Sequence, residues 1–208
     1  MHTAMVVDDH PFIRSAVKMI LKQENFEIVA EADNGADAVQ LIRENVPDLI
    51  LLDISMPRLD GLEALGRIAD LGLPVKILVL TSQSAEFFSM RCMKAGAAGY
   101  VSKTDDLREL VRAIKAIMSG YTFFPNLAFN SVRRSDVDAT ERMLIQSLSD
   151  RELTILQQLA KGLNNIQIGD EMLLSNKTIS TYKARLIEKL KVTSLVHLAE
   201  FARRNELI

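Results

Sequence analysis

The chain has 208 residues, 48% hydrophobic and 25% charged, with five prolines and nine glycines; this excludes a fibrous or disordered polymer and fits an average domain joined to a smaller one. Its net charge of −2 hides an asymmetry, since residues 1–120 carry 13 Lys+Arg against 17 Asp+Glu while residues 121–208 carry 12 against 10. No run nears the roughly 18 apolar residues of a membrane span, no signal-type segment opens the chain, and one cysteine with three histidines supports neither a disulfide framework nor structural zinc, so a cytoplasmic protein without membrane contact is expected.

The first 120 residues alternate short apolar runs with segments of helical period, the pattern of βα units winding a parallel sheet. TAMVVD, FEIVAEA, DLILLDI, KILVLT and GYVS read as strands, and their near-continuous apolar character predicts burial on both faces. PFIRSAVKMILKQ, GADAVQLIREN, GLEALGRIADL, AEFFSMRCMKAG and DLRELVRAIKAIMSG read as helices, each with an apolar stripe for the sheet. Cys92 falls in the fourth of these and reads as packing. The expected fold is an α/β doubly wound sheet of five parallel strands.

Ligands of such a sheet bind beyond the carboxyl ends of its strands. Asp8 and Asp9 end the first strand, Asp53 the third, Thr81 and Ser82 the fourth, and Ser102 and Lys103 the fifth. One polar strand end needs no explanation beyond contact with water, but four of them, carrying three carboxylates, do. Adjacent aspartates repel each other, a cost that a cation or a hydrogen-bond donor between them offsets. Three carboxylates with one open side suit a hard divalent ion, Mg²⁺, which takes few carboxylates and keeps waters and phosphate oxygens. Asp53 then reads as a nucleophile toward phosphorus, with Lys103 and Thr81 on the phosphoryl oxygens. A Mg²⁺-dependent phosphatase, which can also use a strand-end aspartate, typically needs a second acid two residues later; Asp53-Ile54-Ser55 lacks it, which argues against turnover of a small substrate. Met56-Pro57 and Gly61 read as shaping the turn after the third strand.

VVDDHP, LLDISMPRLDG, LTS and GYVSK resemble the acidic pocket, phospho-acceptor, switch hydroxyl and lysine of response-regulator receiver domains, over residues 3 to about 120. The resemblance implies a flavodoxin-like receiver fold and a Mg²⁺ site made by Asp8, Asp9, Asp53 and the backbone carbonyl of Ser55. It implies phosphoryl transfer to Asp53 from a sensor histidine kinase or phosphotransfer protein, with Thr81 and Lys103 on the phosphoryl group. No enzymatic activity beyond Mg²⁺-dependent autophosphorylation and autodephosphorylation on that aspartate is implied. Tyr100 stands where receivers carry a switch aromatic that turns inward; without the resemblance it reads as an aromatic filling a strand. Thr104 follows Lys103 where many receivers have proline with a cis peptide.

Beyond residue 120, strand character is lost, and Pro125 stands among polar and aromatic residues. Residues 121–145 read as a linker; Tyr121, Phe123, Phe124 and Phe129 predict that part of it packs on a domain or partner, and 131–139 is expected to be its most mobile part. The remaining residues, 146–208, read as an all-α domain of four helices. Ser149 and Glu152 form a capping box for the first, LTILQQLAKG, which stops at Gly162. NNIQIGDEML is a short second helix, and the third starts near Ser175. In that third helix Ile179, Tyr182, Leu186 and Leu190 share one face, while Lys177, Ser180, Thr181 and Ala184 look away. SLVHLAEFARRN is the fourth. Residues 175–191 hold Lys177, Lys183, Arg185, Lys189 and Lys191 against Glu188 alone, a charge that suits a polyanion.

This half resembles the helix-turn-helix domain of the LuxR and FixJ regulators, and the whole chain resembles the NarL/FixJ family of two-component response regulators. Within that family SNKTISTYK and the GYTFFP segment match the BvgA/EvgA-like subgroup. The resemblance implies a dimer that binds promoter DNA at inverted half-sites, with Lys177, Thr178, Ser180, Thr181, Lys183, Ala184 and Arg185 toward the DNA and the long basic chains on phosphates. It further implies that the first and fifth receiver helices form the dimer surface. Gly169 stands where family members often have alanine, at a mid-helix cost of about 1 kcal/mol. A receiver acting on a protein partner through its C-terminal bundle, without DNA, is the rival reading, and the basic third helix argues against it.

Overall fold

Five apolar runs become the strands β1 (His2–Val7), β2 (Phe26–Ala32), β3 (Leu49–Leu52), β4 (Lys76–Thr81) and β5 (Gly99–Ser102) in this computed structural model, which describes residues 1–56, 61–125 and 136–208. They pair in parallel in the order β2-β1-β3-β4-β5. All carboxyl ends therefore lie on one edge, and the order reverses between β1 and β3, where a crevice opens in sheets of this kind.

The intervening helices are α1 (Pro11–Gln23), α2 (Gly35–Asn45), α3 (Gly61–Asp70), α4 (Ala85–Lys94) and α5 (Leu107–Met118). Alternate strand residues serve opposite faces of the sheet. Ala4, Val6, Leu49, Leu51, Leu78, Leu80 and Val101 pack with Val17, Ile20 and Leu21 of α1 and Leu110, Ala113, Ile114 and Ile117 of α5. Met5, Val7, Ile50, Leu52, Val79 and Tyr100 are equally buried and face the other way, where Ile42, Leu65, Ile68 and Phe88 of α2–α4 are also buried. Burial on both faces explains why β1, β3, β4 and β5 carry no polar alternation; the expectation fails for the edge strand β2, where only Phe26 and Ala32 are buried and Glu27 and Glu31 are exposed. Cys92 is buried in α4, as expected of a packing residue.

The chain divides into the units Met1–Pro125 and Asn126–Ile208. The aromatic start of the expected linker belongs to the first. Phe123 lies beside β5, accepts a hydrogen bond from Tyr100 N at 2.8 Å, donates one to Ala98 O at 3.0 Å, and packs against the α1/α5 core. Phe129 and residues 131–135 of the stretch expected to be mobile lie outside the described residues; from 136 the chain is helical.

That helix, α6 (Asp136–Gln146), is followed by α7 (Asp150–Ala160), α8 (Asn165–Met172), α9 (Asn176–Lys189) and α10 (Leu195–Arg204). The last four are the expected bundle; α6 is an addition that the sequence reading left within the linker. Ile145 and Leu148 bury themselves, and Glu141 binds Arg204 and Asn205 of α10. Among the described side chains, a tertiary ion pair helps to hold this helix, a contact that no local period announces.

Caps set the helix starts. Ser149 and Glu152 make the expected box on α7, and a second box, unread in the sequence, joins Asn164 to Gln167 on α8. Ser175 caps α9, accepting from Thr178 N at 3.1 Å. Gly169, inside α8, is explained by close approach: a Cβ there would lie 2.6 Å from Leu174 O, on the backbone that leads into α9.

Candidate acidic pocket and basic helix face

The ends of β1, β3 and β5 are registered by the hydrogen-bond ladder itself. Val7 pairs with Leu52, and Asp53 N donates to Val7 O at 2.8 Å, so Asp8 and Asp53 emerge side by side. Asp8 N donates to Ala32 O at 3.1 Å, and Lys103 N donates to Thr81 O at 2.8 Å. Main-chain bonds thus fix three of the expected site residues before their side chains are considered.

Lys103 then ties them together. Its Nζ lies 2.8 Å from Asp8 Oδ2 and 2.5 Å from Asp53 Oδ2, with side-chain exposures of 10%, 4% and 1% for the lysine and the two acids. Burial alone would push the ammonium down, but Asp53 and Asp8 outweigh it and hold the lysine above its ordinary value. The second oxygens are also engaged: Asp8 Oδ1 accepts from His10 N at 2.9 Å, and Asp53 Oδ1 accepts from Ser55 N at 2.9 Å. Arg14 Nη1 donates to Asp8 O at 2.6 Å and holds the β1 end from outside.

Thr81 does not touch Asp53 directly; Ser55 joins them. Ser55 Oγ lies 3.2 Å from Thr81 Oγ1 and accepts from Gln83 Nε2 at 2.9 Å. Tyr100 is turned inward, 1% exposed, with its hydroxyl donating to Gln83 O at 2.6 Å. Burial pushes its phenol up, and Cys92, Asp53 and Asp105 add to the shift. Gln83 thus connects the hydroxyl pair to the aromatic, a role unread in the sequence. No cis peptide occurs among the described residues, so the Lys103–Thr104 bond is trans.

The donor set fits a divalent cation. Asp8, Asp9, His10 and Asp53 each offer an atom, all within 4.8 Å of one another. Asp9 Oδ1 is the telling one. It is out of solvent and 2.7 Å from His10 Nδ1, yet off the direction a hydrogen bond requires, so this oxygen takes no hydrogen bond. Clustered carboxylates with an unsatisfied oxygen suit Mg²⁺.

In the second unit Ile179, Leu186 and Leu190 are buried and Tyr182 is half-buried, while Lys177, Ser180, Thr181, Ala184 and Arg185 are exposed. Thr178 and Lys183 lie at the margin, half-buried. The hydroxyls are already oriented: Thr178 Oγ1 lies 2.8 Å from Ser175 Oγ, Thr181 donates to Lys177 O at 3.0 Å, and Ser180 accepts from Asn165 Nδ2 at 2.9 Å. Lys189 is also exposed, but it is paired within the bundle, reaching Glu152 Oε2 at 2.8 Å. Burial raises that carboxyl, but hydrogen bonds from Lys189 and Ser149 prevail and hold Glu152 below its ordinary value. One of the five basic residues of the segment thereby pairs α9 with α7 while staying exposed.

Residues 4–115 match the response regulator receiver domain, and residues 146–202 match the bacterial regulatory proteins of the luxR family. The chain is a two-component response regulator. The virulence-factor transcription regulator BvgA of Bordetella pertussis is 49% identical over 203 residues, which cover 98% of this chain and 97% of BvgA. The DNA-binding transcriptional activator EvgA of Escherichia coli K12 is 33% identical over 204 residues, 98% of each chain. The structure of the RcsB response regulator of Salmonella typhimurium, 23% identical, shares the fold with a TM-score of 0.75 over 96% of each chain. This response regulator therefore joins a receiver to a LuxR-type DNA-binding domain and regulates transcription. No helix among its described residues is long and apolar enough to cross a membrane.

Proposed function

We propose that Asp53 accepts a phosphoryl group from a sensor histidine kinase or phosphotransfer protein, and that the modified chain pairs as a homodimer on inverted promoter half-sites in the cytoplasm. The observation that carries the reading is the bridge from Lys103 to both Asp8 and Asp53 at the carboxyl edge, beside the unsatisfied Asp9 oxygen. In the transfer an oxygen of Asp53 forms the new O–P bond while the N–P bond of the donor histidine breaks and its electron pair stays on the imidazole. Lys103 is placed to give up one carboxylate and follow the charge onto the phosphoryl oxygens. Thr81, joined to Asp53 through Ser55, is the hydroxyl that moves toward the new group, and Tyr100 fills the space behind it. Asp8, Asp9, Asp53 and the Ser55 carbonyl would hold Mg²⁺, which when bound offsets charge on the carboxylates and phosphoryl oxygens.

Because the carboxylate charge of Asp53 is lost as the acyl phosphate forms, phosphorylation changes the local charge by only about one unit, so it acts by biasing an equilibrium between two receiver states rather than by forcing refolding. The receiver, residues 1–120, pairs through α1 and α5 in this proposal, and the 146–208 domains dock paired α9 helices about one DNA turn apart. Lys177, Lys183 and Arg185 take phosphates, while Thr178, Ser180, Thr181 and Ala184 approach the bases. The test is labelling by a small phosphodonor in Mg²⁺, with DNA capture from the genome measured in parallel. Asp53→Asn should abolish label and the donor-dependent gain in DNA binding; label that survives the substitution places the acceptor elsewhere.

A further inference from the structure

His10 stands in the acidic pocket but has no part in the proposed transfer. It is the N-cap residue of α1, directly before Pro11, yet its side chain makes no capping hydrogen bond. The ring leans the other way, into the carboxylates: Nδ1 lies 2.7 Å from Asp9 Oδ1 and 3.4 Å from Asp8 Oδ1. The side chain is 64% exposed, so packing does not force it there. Its backbone amide, which donates to Asp8 Oδ1 at 2.9 Å, keeps the ring's root beside the acids.

Bond lengths of about 2.1 Å put neighbouring ligands of an octahedral ion about 3 Å apart and opposite ones about 4.2 Å apart. One atom each from Asp8, Asp9, His10 and Asp53 already lies within 4.8 Å of the others, so small side-chain rotations bring all four onto one ion. A cation between His10 Nδ1 and Asp9 Oδ1 would also give the buried oxygen the partner it lacks. Imidazole is a poor ligand for Mg²⁺ and a good one for Co²⁺, Ni²⁺, Cu²⁺ and Zn²⁺.

We propose that His10 Nδ1 is a further protein ligand of the cation site, and that the pocket therefore prefers imidazole-binding first-row divalent ions to Mg²⁺. The inference rests on the reading of Asp8, Asp9 and Asp53 as a cation site. The competing account is an ion pair only, in which a charged His10 itself serves as counter-ion to Asp9.

The two accounts differ in sign. Calorimetric titration of the full chain with Mg²⁺ and, separately, Co²⁺ compares the unaltered protein with His10→Ala and Asp9→Asn. His10→Ala should weaken Co²⁺ roughly tenfold or more, the scale on which losing a supporting group at a metal site is felt, and leave Mg²⁺ within a factor of about two. The visible spectrum of bound Co²⁺ should change with it. Asp9→Asn should weaken both ions, tying the histidine-dependent binding to this pocket rather than to His2 or His197. Equal change for the two ions, or a gain for both on removing His10, overturns the ligand role in favour of the ion pair. No Mg²⁺ binding by the unaltered chain overturns the underlying cation site instead.

Discussion

Helix propensity and the structure make opposite predictions for Gly169→Ala. In an exposed helix interior alanine is worth about 1 kcal/mol over glycine, so propensity alone predicts a more stable protein. In this chain the added Cβ would sit 2.6 Å from Leu174 O, roughly 1 Å inside an ordinary contact of about 3.5 Å. The obstacle is a backbone carbonyl in the turn between α8 and α9, not the tip of a flexible side chain. Overpacking of this kind costs about 1–3 kcal/mol. The same shift strains the Leu174 N to Gly169 O hydrogen bond of 2.8 Å, worth about 1 kcal/mol. The net expectation is a loss of about 1–3 kcal/mol, with weaker DNA binding because Leu174 leads into α9. Urea unfolding of the full chain followed by circular dichroism gives the magnitude, and hydrogen exchange of α8 and α9 peptides assigns it to the second unit. A variant about 1 kcal/mol more stable, with unchanged exchange in α9, would refute the steric reasoning.

Lys103→Met leaves Asp8 and Asp53 facing each other without their bridge; removing one partner of a buried ionic group costs about 3–5 kcal/mol, so the urea midpoint of the first unit should fall sharply, and an unchanged midpoint would mean the triad is not held as described. Lys177→Ala and Lys183→Ala should each reduce the slope of log affinity against log salt by about 1; gel-shift titrations at several salt concentrations read this, and unchanged slopes remove those lysines from the phosphate contacts. Glu152 is held below its ordinary value of 4.5, so its stabilisation is fully present above that pH and is lost as the pH falls through the depressed folded value. Glu152→Gln should therefore lower stability by about 1–3 kcal/mol at neutral pH, with the difference from the unaltered chain shrinking on acidification below 4.5; a difference independent of pH would contradict the sign.

Local pattern was enough for much of this chain. Four strands, β1, β3, β4 and β5, announce themselves as apolar runs without alternation, because residues covered on both faces have no polar side to show; β2, at the edge of the sheet, keeps Glu27 and Glu31 exposed. Asp8, Asp9, Asp53, Thr81 and Lys103 were readable as strand-end residues, since a parallel sheet sends every carboxyl end to one edge whatever the details of packing. The apolar face of α9 and the Ser149–Glu152 box were readable for a similar reason: helical period and cap spacing depend on neighbours within a turn or two.

Other features required the assembled fold. The link from Thr81 through Ser55 and Gln83 to Tyr100, the pairing of Lys189 with Glu152, and the docking of α6 by Glu141 onto Arg204 each join residues by side-chain geometry. The spacing that makes glycine necessary at 169 is likewise set by how the turn after α8 folds back against that helix. Period and propensity describe what a segment does with its own neighbours; which of several equally polar side chains meet across tens of residues depends on strand register and helix crossing, which exist only once the chain has packed.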